Sequence, residues 1–251
     1  MSEALLTLLW VYILVFARFG AALVLLPGLS NARFPVTIRI FFALFLTVAL
    51  TPMLMQQLQP AFAPGARYQS ALITEVIVGL AFGFWGFCFL HASRFAGSII
   101  SSVIGLAGIP GQPIDEHDPT TPLGSLLSLG ATAIVFATDL PMMSIEALSR
   151  SYETIPVMGA PAGDWLAQNT IRLVRDTSII AVQMSSPFIV LVVVTNLALG
   201  LCGKFTPQLQ VYFAALGLTI LLSFMLLGWI FPNLAYLPAE AYSSWLKQAL
   251  Q

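Results

Sequence analysis

The residues that could do chemistry in this 251-residue chain are few, and most of them stand where water is scarce. Arg18, Arg39, Glu75, Asp139 and Glu146 fall inside long apolar runs or at their margins. A charge at membrane depth costs several kcal/mol, so such residues are paired, hydrated or drawn to the ends of spans. Two uses follow. They are relay groups of a proton- or ion-coupled transporter, or they are pairs and snorkelling side chains with a structural task. No tight cluster in the sequence separates the two. Arg18 is the deepest and the best candidate for a specific pair.

Polar atoms also concentrate in the run GLAGIPGQPIDEHDPTTPLG, from Gly105 to Gly124. After Gly105 and Leu106 it carries Gly108, Gly111, Pro110, Pro113, Pro119 and Pro122, with Asp115, Glu116, His117 and Asp118 among them. Prolines without N–H donors and conformationally free glycines exclude a membrane helix here. Irregular backbone between apolar segments is tolerated only where protein buries it or where it lines a water-filled cavity. The island is therefore a loop at the rim of a pore, or a plain extramembrane loop.

Catalytic signatures are absent. There is no H-E-x-x-H, no G-x-S-x-G and no glycine-rich phosphate loop, and the only histidines, His91 and His117, are too far apart to suggest a metal centre. No enzyme activity, metal or cofactor is expected. Cys88 and Cys202 lie in apolar stretches and read as buried structural thiols.

Hydrophobic residues make up 58% of the chain and charged residues 8%, with a mean hydropathy of +0.90, where a soluble domain carries roughly 25% charged residues. This is the composition of an integral membrane protein. The net charge of −1 offers no footprint for nucleic acid and no polybasic cluster for docking on an anionic surface. Glu3 precedes Arg18 with no Lys or Arg between, so the first helix is expected to be retained rather than cleaved as a signal peptide.

A hydrocarbon core of roughly 30 Å needs about 20 apolar residues in a helix. Residues 4–29, 40–55, 70–90, 123–148, 177–202 and 208–231 qualify as spans, and the shorter piece 95–109 reads as a partial, broken helix running into the island. The expected fold is thus an all-α membrane protein of about six hydrophobic helices plus a partial helix and an irregular loop, in one domain over 1–251. Small residues four apart suggest close helix contacts: Ser93, Gly97, Ser101 and Gly105 form one stripe, Gly124, Ser128 and Thr132 another, and Gly79 with Gly83 makes a G-x-x-x-G. These stripes pack within the chain or against other subunits. No internal repeat is visible, which weakens an inverted-repeat transporter reading.

The stretch Thr195 to Phe213, TNLALGLCGKFTPQLQVYF, resembles the N-L-x-L-G…P-Q-L-x-V-F segment of the FliR family, membrane subunits of the flagellar type III export gate. Asn196, Leu197, Gly200, Pro207 and Gln208 are the most specific matches. The likeness extends over nearly the whole chain, through Pro27 and Pro35, the Gly79/Gly83 helix, Asp118-Pro119, Pro156 and Ser186-Pro187. The injectisome counterpart, SctT, shares the P-Q motif, but the Asn-Leu-Ala-Leu-Gly run is closer to the flagellar branch. The resemblance implies a non-enzymatic gate subunit in the bacterial inner membrane and flagellar basal body, resembling a fused FliP–FliQ pair. Its implied partners are several FliP and FliQ subunits, an FlhB subunit outside them, and unfolded export substrates. It also implies that the island maps onto a loop that plugs the pore.

Overall fold

A computed structural model describes residues 3–27, 35–62, 67–106, 121–157, 159, 163–205 and 211–249. All regular structure among them is helical. It comprises α1 (Glu3–Leu25), α2 (Val36–Leu50), a short 3-10 helix (Gln59–Phe62), α3 (Tyr68–Val103), α4 (Pro122–Ala137), α5 (Leu140–Thr154), α6 (Gly163–Phe205) and α7 (Val211–Ala249). Among the described residues, four helices are long and apolar enough to cross a membrane, or five if α4 and α5 form one bent span. The all-α membrane class expected from composition is therefore the observed one.

The helices differ from the sequence expectation in length and number. The partial helix placed at 95–109 is the second half of α3, because nothing between Leu90 and Phe95 interrupts it and Arg94 finds a partner inside the protein. The span placed at 123–148 is two helices meeting at 72°. Pro141, in the first turn of α5, has no N–H to offer and its ring collides with the carbonyl four residues back, so α4 stops at Ala137. Conversely, Pro187 lies within α6, and Pro232 and Pro238, past the end of the span read at 208–231, lie within α7. The carbonyl orphaned by Pro187 belongs to Gln183, and the Ser186 hydroxyl donates to it at 2.8 Å. A neighbouring hydroxyl is one of the ways a membrane helix survives proline.

At 1.5 Å per residue the 43 residues of α6 extend about 64 Å, twice a hydrocarbon core of roughly 30 Å. The excess is the polar beginning, where Asp164, Gln168, Asn169, Arg172, Arg175 and Asp176 precede the apolar stretch from Thr177 onward.

The chain divides into two compact units. The first holds Met1–Phe89, Val135–Val174 and Ala241–Gln251; the second holds Leu90–Ile134 and Arg175–Glu240. In the first, α1 is central, and Val11, Leu14, Val15, Phe19 and Leu23 are buried among Ala43 and Leu46 of α2 and Leu148 and Tyr152 of α5. Gly79 and Gly83 lie against the carbonyls of Arg18 and Ala22, so the G-x-x-x-G motif brings α3 onto the α1 backbone within this chain. An aromatic cluster adds Trp85, Trp165, Trp245, Phe82, Phe89 and Tyr242. In the second unit, Ala92, Ala96 and Ile100 of α3, with Ile104 just past its end, and Leu123, Leu127 and Ala131 of α4 form buried stripes at intervals of one helical turn.

Candidate functional site

Arg18 projects from the middle of α1 and is fully buried, as is Glu75 on α3. Its Nε donates to Glu75 Oε2 at 2.5 Å and its Nη2 to Glu75 Oε1 at 3.1 Å, a two-pronged pairing that suits the planar guanidinium. Nη1 donates to Ser151 Oγ at 3.0 Å, and Nη2 also reaches the Ile155 carbonyl at 3.1 Å. The guanidinium carbon lies 3.7 Å from the centre of the Tyr152 ring. Ile155 is the residue at which α5 ends, so its carbonyl accepts a cation where the helix dipole is negative. Three helices are thereby keyed to one charge. The site is sealed and complete, an arrangement suited to fixing register rather than to passing protons.

In the second unit the structure shows how the two ends of the island are held. α3 stops because Gly105 adopts φ = +84°, a left-handed conformation that closes a helix and that side chains resist. Across the gap, Thr121 caps α4. Its Oγ1 accepts the Gly124 N–H at 3.2 Å, and Pro122 occupies the first helical position, where a missing N–H does no harm. The two helices are clamped behind these ends. A methyl group on Gly97 would overlap the backbone of Leu123 and Gly124, and Arg94 Nε donates to Ser128 Oγ at 3.1 Å. Ser93 and Ser101, on the same stripe as Gly97, are buried with hydroxyls that have no hydrogen-bond partner. Gly108, Pro110, Gly111, Pro113, Asp115, Glu116, Asp118 and Pro119 lie outside the described residues; Gly105, Leu106 and Pro122 bound them.

The profile of "Bacterial export proteins, family 1" matches residues 9–244. The chain belongs to this family. It is similar to the flagellar biosynthetic protein FliR of Caulobacter vibrioides, with 31% identity over 93% of each chain. It is also similar to FliR of Escherichia coli, at 25% identity over 93% of this chain and 89% of that one. The Yop proteins translocation protein T of Yersinia pestis is 26% identical over 86% of this chain and 84% of its own. Family membership and the apolar helices together make the chain a multi-pass membrane component of a flagellar-type, type III export apparatus.

Of the residues that carry the resemblance to the FliR family, Asn196, Leu197 and Gly200 are exposed on α6, while Pro207 and Gln208 lie outside the described residues. A side chain at Gly200 would meet nothing within 4 Å. Asp139 does not join Arg18 and Glu75. It stands exposed at the bend between α4 and α5, where its side chain makes no capping bond. Glu146 pairs on the surface with Arg150 at 3.0 Å. Cys202 is exposed rather than buried, on the same stretch of α6 as the motif, and Cys88 is half-buried.

Sequence reasoning named Arg18 and Glu75 but missed Ser151, Tyr152 and the Ile155 carbonyl. The last has no signature, since any residue ending a helix exposes a carbonyl. The aromatic cluster was legible in principle, because Phe82, Trp85 and Phe89 recur at helical spacing.

Proposed function

We propose that the chain is the gate subunit of a flagellar protein export channel in the bacterial inner membrane, passing unfolded subunits and carrying in its island the plug that closes the pore at rest. The observation that carries this reading is the pair of fixed ends: α3 stopped at Gly105, α4 capped by Thr121, and Gly97 packed on Gly124 behind them. Ends held this firmly would keep a plug carried between them at one place in the unit.

Residues 1–251 act as one integral membrane domain. FliP-like and FliQ-like subunits and an FlhB-like subunit are the proposed partners, and the exposed Asn196, Leu197 and Gly200 face supports their approach along α6. Flagellar use is favoured over injectisome use by the 31% identity to a flagellar relative. A solute transporter built on Arg18, Glu75 and Asp139 finds no support, since the first two are sealed together and the third is elsewhere. The test is functional isolation. The full chain alone in liposomes should move neither ions nor small solutes, its loss from cells should abolish secretion of flagellar subunits, and FliP-like and FliQ-like chains should copurify with it. Transport by the isolated chain, or secretion without it, would overturn the proposal.

A further inference from the structure

The second unit carries a polar face that its packing leaves outside. Round α3 from its buried stripe, His91, Arg94, Ser98 and Ser102 follow one another at steps of three and four residues, which puts them on one side of the helix. On α4, Ser125, Ser128 and Thr132 follow at the same steps. The contacts of Gly97 with Gly124 and of Arg94 with Ser128 set the two helices antiparallel. In that arrangement both polar faces turn to the same side of the pair, away from the buried stripes. They form one groove, with the exposed Phe95 and Leu129 as its shoulders.

Two of the groove's hydroxyls are met by their own helices. Ser102 donates to the Ser98 carbonyl at 2.9 Å and Thr132 to the Ser128 carbonyl at 2.7 Å, so both turn oxygen lone pairs outward and neither calls for a particular donor from a partner chain. Arg94 is half-buried, and its Nε donates to the neutral hydroxyl of Ser128 at 3.1 Å. Among the described residues no carboxylate pairs with it. The bond to Ser128 fixes where the charge lies without neutralising it. A cation turned toward hydrocarbon costs several kcal/mol, and such residues in membrane helices face one another or a water-filled cavity. Water serves both the cation and the hydroxyls; lipid serves neither.

We propose that this groove is part of the wall of the export conduit, wetted along its length, with Arg94 setting a positive potential in it and the hydroxyls offering weak hydrogen bonds to the backbone of an extended chain in transit. The inference rests on the reading of this chain as a channel subunit and adds which of its surfaces the substrate meets. A wall of small hydroxyls suits a conduit, because it accepts any peptide unit and holds none for long.

The experiment keeps the full chain in its complex with the membrane partners. Cys88 and Cys202 are replaced by Ala, and single cysteines are placed at Ser98, Ser102 and, beyond the shoulder of the groove, Leu126. Membrane vesicles of both orientations are treated with two impermeant methanethiosulfonates, one carrying a sulfonate and one a trimethylammonium group, with rates normalised to a free thiol. Ser98→Cys and Ser102→Cys should react in at least one orientation, and Leu126→Cys should not. At Ser98→Cys the anionic reagent should be favoured about fivefold, a preference that Arg94→Lys keeps and Arg94→Gln removes. It should be smaller at Ser102→Cys, one turn farther away, which tests the charge even if Arg94→Gln fails to accumulate. Both groove cysteines unreactive in an assembled complex, reaction equal at Leu126→Cys, or a charge preference absent, unchanged by Arg94→Gln or equal at the two sites would overturn the proposal. Secretion separates this result from the gate reading: a chain required for secretion but unreactive in the groove refutes the groove alone, whereas secretion without the chain refutes the gate itself.

Discussion

Arg18 sets the terms on which α1, α3 and α5 can be taken out of water together. Its charge is met by Glu75, Ser151, the Ile155 carbonyl and the Tyr152 ring, so removing it harms chiefly through what is left behind. Arg18→Met should cost about 3–5 kcal/mol, because Glu75 becomes a buried carboxylate without its partner. The double change Arg18→Met with Glu75→Leu should recover much of that loss, since two apolar residues bury no charge. Thermal unfolding in detergent measures both, and a double variant no better than the single would show that packing, not charge, dominates. Arg18→Ala should also lower membrane yield more than Arg67→Ala, an exposed position. The sequence marked Arg18 by depth alone. Its partner, 57 residues away, was one of several carboxylates, and only the fold selects Glu75 over Asp139.

At the scale of the elements, small residues were the readable signal, and prolines were the misleading one. Gly79, Gly83, Gly97 and Gly124 stand out in sequence because helices in lipid approach through small residues, and each lies at a close backbone contact. Prolines end helices in water but not reliably in a membrane, where a hydroxyl such as that of Ser186 takes over the freed carbonyl. This is why α7 runs past the span read from the sequence, whereas the extra length of α6 is its polar beginning and Pro141, placed at a helix start, does break α4 from α5. Two glycines separate internal packing from partner packing. Gly97→Leu should destabilise the chain itself by roughly 1–3 kcal/mol or more, as added bulk meets Leu123 and Gly124. Gly200→Leu has open space around it, so the isolated chain should melt as wild type while recovery of the assembled complex on a native gel falls. A complex recovered at wild-type yield would remove that face of α6 from the interface. Gly105→Val, forced into φ = +84°, should cost about 1–2 kcal/mol and loosen the stop of α3, detectable as faster proteolysis at the island.

For the molecule as a whole, composition gave the membrane class and the run from Asn196 to Gln208 gave the family, both before any coordinates. The small-residue stripes marked the helices flanking the island as closely packed, but that Gly97 meets Gly124 and that Gly105 is left-handed depend on the fold, and spacing alone determines neither. The central claim is that the island seals a pore. It is tested most directly by replacing 106–121 with a short Gly/Ser linker, purifying the complex with its partner subunits, and recording conductance in a planar bilayer. The clamped helices should still assemble, and the deleted complex should conduct ions steadily where the intact one is closed. An assembled, deleted complex with no more conductance than wild type would contradict the account.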